Sequence, residues 1–320
     1  MPRHHDPSDT LTDAGAAGSP ARMLAFSCLV GLTLAGFWAS LTRLIAFSFQ
    51  HEHYSHIIVV PLLGAGLVVL GRRRIFLGVQ THWRAGPGLL LGGLLVFVAG
   101  RRYLGAASDN DQLSVGILGV VLVWLGAFVL CFGLRAAHAA LFPLLFLLLM
   151  VPIPDALLNF IIEWLQRGSA DFSHALLEWT GVPVFRTGFT LALPGLAIEV
   201  ARECSGIRSS LALVVMSLVV GHLVLRRVWT KAALVVVTVP LVIVKNGIRI
   251  AALSLLSIYV DPRFLTGDLH QHGGVVFFAL AILLILPVIW LLQNAERSAP
   301  LRFVRSRIAR RFGHVRAGEE

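Results

Sequence analysis

Charge is scarce in this sequence: charged side chains make up 14% of its 320 residues against 57% hydrophobic ones, and mean hydropathy is +0.80. Soluble globular domains carry about a quarter of their residues charged, so that class is excluded. Cysteine is rarer still, with three in the chain, which excludes a scaffold built on disulfides. The first twenty residues contain no apolar core before Arg22. No cleavable signal peptide is therefore expected, and targeting and anchoring fall to the first span. Repeats of solenoid period are also missing, as is low complexity outside the basic tail. Acidic residues are few enough to leave a net charge of +10 and a pI near 10.9. The excess basic residues sit in short clusters between apolar runs and at the C-terminal end, a membrane-topology pattern rather than a nucleic-acid footprint. The expected partner is the lipid bilayer, with no nucleic acid.

What the sequence has in quantity is apolar run. Eight stretches bounded by charges, 23–47, 55–71, 86–100, 112–133, 137–153, 204–225, 231–260 and 270–293, approach the ~20 residues that cross a hydrocarbon core. They predict an all-α fold, a polytopic transmembrane helical bundle of about eight spans. Residues 1–22 form a polar N-terminal tail, 23–293 the membrane domain and 294–320 a basic C-terminal tail. Arg72, Arg73, Arg74 and Arg84 follow the second run, Arg135 the fourth, and Arg226, Arg227 and Lys231 lie between the sixth and seventh. These connections and both termini are expected on the cytoplasmic side. The loop containing Asp109 and Asp111 and the long segment 154–203 carry little positive excess and are expected outside.

That long segment is the least membrane-like part of the chain. From Asp155 to Glu178, polar residues recur every three or four positions opposite Leu158, Ile161, Ile162, Leu165, Leu176 and Trp179. Such a stripe predicts an amphipathic helix, lying on the membrane or entering it as a further pair, with Gly168 as a break. Beyond it, the β-prone runs 189–193 and 196–200 flank Pro194-Gly195 and predict a small hairpin that delivers the chain to Cys204.

The expected topology separates the cysteines. Cys28 and Cys131 fall near cytoplasmic helix ends, whereas Cys204 opens the sixth run at the outer boundary without a same-side disulfide partner. A lone membrane cysteine can be a small buried hydrophobe. Here it is followed by Ser205-Gly206, starts a predicted helix whose dipole favours a thiolate, and has Arg208 one turn on. The seventh run holds Lys245, Asn246 and Arg249, and charges within a span are costly unless they face protein or water. His270 and His272 begin the eighth run. Cysteine, arginine and histidine from three consecutive spans thus end on one face. A transporter or channel could instead use Lys245, Asn246 and Arg249 to bind an anion and would be indifferent to Cys204. A non-catalytic factor for export or exopolysaccharide assembly is a third class.

Six spaced motifs run along the chain: Tyr54-Ser55-His56 with Pro61; Pro152-Ile153-Pro154; Gly181 then Gly188; Cys204-Ser205-Gly206-Ile207-Arg208-Ser209; Asn246-Gly247-Ile248-Arg249; and His270, Gly274 and Phe278 at four-residue spacing. In this order the set resembles the exosortases, a family similar to the archaeosortases. The resemblance covers most of the chain from Tyr54 onward. It implies Cys204, Arg249 and His270 as catalytic residues, with the spacing to Gly274 and Phe278 favouring His270 over His272. Arg208, Asn246, His56 and Tyr54 become candidates for substrate binding or support. It further implies a cysteine peptidase or transpeptidase of the bacterial inner membrane, its active site facing the periplasm. The substrates would be exported proteins ending in a Pro-Glu-Pro motif, a membrane helix and a basic cluster. A lipid or glycan amine is the acceptor if the acyl group is transferred. No metal and no cofactor is expected; the cluster His51, Glu52, His53 and His56 has ligand types but no fixed fourth-ligand spacing.

Overall fold

Helices form along nearly every apolar run, because a chain without water must satisfy its backbone hydrogen bonds within the segment. The computed structural model describes residues 20–77, 85–202, 205–265 and 274–313. The N-terminal tail up to residue 19, Arg84, Cys204, His270 and His272 lie outside the described residues. Contacts divide the chain into two compact units, Met1–Asn159 and Phe160–Glu320.

The first unit contains α1 (Pro20–Gly36), α2 (Trp38–Gln50), a 3-10 turn (Glu52–Ile58) leading into α3 (Val59–Ile75), α4 (Ala85–Tyr103), α5 (Asp109–Ala139) and α6 (Leu141–Phe146). The expected single helix over 23–47 is instead two, bent by 74°. The bend falls just after Gly36, at Phe37, whose ring packs edge-on against Phe97 with centroids 4.5 Å apart. One turn earlier, Thr33 accepts a 2.8 Å hydrogen bond from the Trp124 indole of α5. Ser108 caps α5 by accepting from the Asp111 N–H at 3.1 Å, and Asp109 and Asp111 occupy the positive first turn. At its far end Gly133 adopts φ 82°, breaking the helical geometry where the apolar run was expected to stop.

Helices α4 and α5 pack through glycines spaced by seven residues: Gly86, Gly93 and Gly100 on one, Gly119 and Gly126 on the other. A Cβ at Gly93 would sit 2.8 Å from the Gly119 carbonyl oxygen, and one at Gly126 would sit 2.6 Å from the Leu90 nitrogen. Small residues let two helix backbones approach where lipid supplies no hydrophobic drive. That spacing is a signal hydropathy does not register.

The second unit holds most of α7 (Asp155–Trp179), a three-stranded sheet, α8 (Ile207–Val224), α9 (Val228–Tyr259) and α10 (Gly274–Gly313). Helix α7 is amphipathic as predicted in its first half, with Leu158, Ile162 and Leu165 buried and Glu163, Arg167, Asp171 and Glu178 exposed; towards its end the buried residues are Ala170 and Leu177, while Trp179, expected on the apolar stripe, is 91% exposed. Gly168 does not break it; a Cβ there would meet Ile243 at 2.9 Å, so the glycine serves close packing. The expected hairpin is present as β2 (Thr190–Leu193) and β3 (Leu196–Glu199), with Leu193 opposite Leu196. A third strand, β1 (Phe185–Thr187), joins it through a turn at Gly188, φ 62°. Leu191, Leu193 and Val200 pack with Ala170 and Leu177 of α7 and Ile250 and Ala251 of α9.

Two boundaries differ from expectation. Helix α8 begins at Ile207, not 204, because Gly206 takes a left-handed conformation, φ 76°, that precludes helix. Helix α10 runs on to Gly313, past the expected end at 293, since an Arg-rich sequence leaving a membrane has no reason to stop being helical. Glu296 of α10 accepts hydrogen bonds from the Arg226 and Arg227 backbone N–H groups and the Thr230 hydroxyl, capping the start of α9 from a neighbouring helix.

Five helices among the described residues are long and apolar enough to cross a membrane, or up to seven if α1 with α2, and Leu141–Met150 with α7, each count as one span. The chain is a multi-pass membrane protein. The expected run that is not among these is the third, 86–100, which forms α4, a helix of 19 residues whose five glycines, one proline and Arg101-Arg102 dilute its apolar character.

Candidate active site

The described site is built where α8, α9 and α7 converge in the second unit. Three charged or amide-bearing residues on one turn and a half of α9 organise it. Lys245 is 2% exposed and donates a 2.6 Å hydrogen bond to Ser209 Oγ on the first turn of α8. Asn246 is fully buried and donates from Nδ2 to Ser169 Oγ on α7, at 3.0 Å. Gly247 lies so near Phe172 that a Cβ would come within 2.7 Å of its ring, which draws α9 against α7. Arg249, one turn beyond Lys245, is half-buried.

The segment after Cys204 is pinned onto this face. A Cβ on Gly206 would lie 3.1 Å from Asn246 Oδ1 and 3.5 Å from Lys245 Nζ, and its positive φ already disfavours any side chain. The Gly206 carbonyl accepts from the Ser210 N–H at 2.9 Å, Ser210 Oγ at 2.7 Å and Ser209 Oγ at 3.0 Å. Ser209 therefore gives its proton to Gly206 and takes one from Lys245, so the ammonium and the loop share one hydroxyl. Ser205 is fully buried, and its Oγ accepts from the Ile207 N–H at 3.4 Å. On the approach to the loop, Gln166 of α7 donates to the Val200 carbonyl at 2.7 Å. Before Cys204 the backbone is thus held by Gln166 of α7, and after it by Ser209 and Ser210 of α8, with Lys245 of α9 bonded to Ser209. Arg208, by contrast, is exposed.

Tyr54 and His56 lie in the first unit. Tyr54 is 1% exposed; its hydroxyl lies 2.9 Å from Asn110 Oδ1 and 3.1 Å from the Ile153 carbonyl. Asn110 Nδ2 donates to that carbonyl and to Asp155 Oδ1, each at 2.7 Å, and the Asp155 N–H donates to Asp111 at 2.8 Å. Tyr54 of the Tyr-Ser-His motif and Ile153 of the Pro-Ile-Pro motif therefore join one polar knot that fixes where the chain enters α7. His56 Nδ1 lies 3.1 Å from the His53 carbonyl, which accepts from it in the tautomer that carries the proton on Nδ1.

A family model described as transmembrane exosortase matches residues 38–287. The chain belongs to the transmembrane exosortase family. No curated protein and no solved structure matches it. The matched span of this exosortase contains α2 through α9, most of α10's apolar part and every residue singled out as a candidate from the sequence. Among them, the structure brings Asn246 and Arg249 together on α9 and seats the Ser205–Ser209 segment against Lys245 and Asn246. It puts Tyr54 in the polar knot of the first unit, with His56 bonded to the His53 carbonyl in the same 3-10 turn. Sequence reasoning missed Ser169, Gln166 and the Lys245–Ser209 bond. Serine and glutamine are ordinary on an amphipathic helix, and only their burial reveals them.

Proposed function

We propose that this exosortase is a membrane-embedded cysteine peptidase or transpeptidase. It processes exported proteins that end in a Pro-Glu-Pro motif, a membrane helix and a basic cluster, at the periplasmic face of the inner membrane. The observation that carries the proposal is the seating of Ser205-Gly206 and Ser209, directly after Cys204, on the turn of α9 that also bears Arg249. A nucleophile needs a fixed backbone beside a cation, because a thiol of reference pKa about 8.5 attacks only as thiolate.

In this mechanism Cys204 Sγ attacks the scissile carbonyl. Arg249, which stays protonated, favours the thiolate and then the oxyanion of the tetrahedral intermediate, a contribution typically of a few kcal/mol. His270 protonates the leaving amine as the intermediate collapses to a thioester on Cys204. It then takes a proton from the incoming water or from a lipid or glycan amine acceptor, which releases the acyl group. Arg208, exposed at the start of α8, is suited to meet the substrate glutamate. Asn246, with its amide donated to Ser169, supports the loop, as Tyr54 and His56 support the entry to α7.

The direct test is capture of the intermediate. A protein carrying Cys28→Ala and Cys131→Ala, incubated with a sorting-signal substrate, should accumulate a hydroxylamine-labile adduct whose mass maps to Cys204. A transporter using Lys245, Asn246 and Arg249 would form none.

A further inference from the structure

A cavity of about 210 Å³ lies in the first unit, among α2, α4 and α5, and none of its lining residues belongs to the proposed catalytic set. A single water needs only about 15 Å³, so this is a compartment for a small group and not a packing defect. Its wall includes Ser40, Arg43, Phe97, Arg101, Gln112 and Gly116. Two guanidiniums thus line one small space. Arg101 is held over the Phe97 ring, its Cζ 5.9 Å from the centroid. Arg43 donates to Asp109 Oδ1 at 3.0 Å, both side chains being exposed (57% and 75%). With Asp109 counted, one positive charge remains uncompensated by these partners, and the Ser40 hydroxyl adds a donor; the Gln112 amide is already engaged, donating to the Ala107 carbonyl at 2.9 Å.

The setting identifies the occupant. The cavity sits at the last turn of α4, where the apolar run ends in Arg101-Arg102 and Tyr103 stands 83% exposed. Below that turn Leu94, Leu95 and Val98 leave an outward apolar surface on the same helix. A ligand matching both parts carries one negative charge on a phosphate and has long apolar chains. We propose that the cavity binds the phosphodiester head of an anionic phospholipid, its acyl chains lying along Leu95 and Val98. Guanidiniums pair with phosphate oxygens through two parallel N–H donors, a geometry that suits the phosphodiester of a lipid head. Binding is non-covalent, and the proposal does not rest on the catalytic one.

The test uses the purified full chain in detergent micelles, with bound lipid counted by native mass spectrometry. Phosphatidylglycerol and phosphatidylcholine of identical chains are the probes, and inorganic phosphate is the competitor. Phosphatidylglycerol should bind about tenfold more tightly than phosphatidylcholine. The double variant Arg43→Gln/Arg101→Gln should lose that preference. Gly116→Leu, which fills the space, should reduce occupancy by both lipids. Asp109→Asn should raise phosphatidylglycerol binding several-fold, a gain that misfolding cannot produce. Equal binding of the two lipids, an unchanged preference in the double variant with no gain in Asp109→Asn, or displacement of the lipid by millimolar phosphate would overturn the proposal.

Discussion

Lys245 is the residue whose role changes most between sequence and structure. From the sequence it is a charge near the middle of a span with no partner to name; in the fold it is 2% exposed and donates to Ser209, whose hydroxyl in turn holds the Gly206 carbonyl. A hydrogen bond to a charged group contributes about 1.5–3 kcal/mol, and leaving a buried ammonium without it costs at least as much. Ser209→Ala should therefore lower thermal stability by about 2 kcal/mol and slow sorting-signal processing. Lys245→Met, which removes the charge and keeps the volume, should recover stability but not processing if Lys245 positions the loop beside Cys204. Recovery of both, measured at matched abundance in membranes, would reduce the pair to packing. Arg249 and Asn246 were legible because a charge or amide inside an apolar run is costly and so conspicuous. Ser169 was not, since a serine on an amphipathic helix announces nothing until its partner Asn246 is known.

At the scale of elements, the apolar runs located the helices other than α7, which its amphipathic stripe located, and the turn dipeptide Pro194-Gly195 located the β2–β3 hairpin. Three features escaped. Strand β1 is three residues long and turns at Gly188, too short to show alternation. The break at Phe37 lies between residues that are apolar on either side, so hydropathy passes over it. The heptad glycines of α4 and α5 encode proximity, which appears only when both helices are in view. They yield a sharp prediction, because glycines of the same helix differ in what a Cβ would meet. Gly93→Ala faces the Gly119 carbonyl at 2.8 Å, whereas Gly92→Ala meets no atom within 4 Å. Gly93→Ala should destabilise by about 1–3 kcal/mol through overpacking. Gly92→Ala should be neutral or slightly stabilising, since alanine is the better helix former by about 1 kcal/mol. Thermal unfolding in detergent, read by tryptophan fluorescence, separates the two; equal effects would mean that α4 and α5 do not pack through this seam.

For the whole molecule, function depends on which side of the membrane each segment faces. The distribution of arginines predicts that a reporter fused after Arg227 or at the C-terminus reads cytoplasmic, and that one near Asp109 or Gly181 reads periplasmic. A cytoplasmic reading at Gly181 would put the Ser205–Arg249 site on the wrong side for exported substrates. Glu296, which ties α10 to the start of α9 beside Arg226 and Arg227, marks the end of the second unit that should lie in the cytoplasm. The proposed mechanism makes Cys204 the nucleophile. The most direct measurement is therefore the fate of a Pro-Glu-Pro-tailed substrate in cells whose only copy of this chain carries Cys204→Ala, at wild-type abundance. The unprocessed precursor should accumulate with no mature product, while Cys28→Ala and Cys131→Ala cells process normally; full processing by the Cys204→Ala protein would contradict the cysteine mechanism.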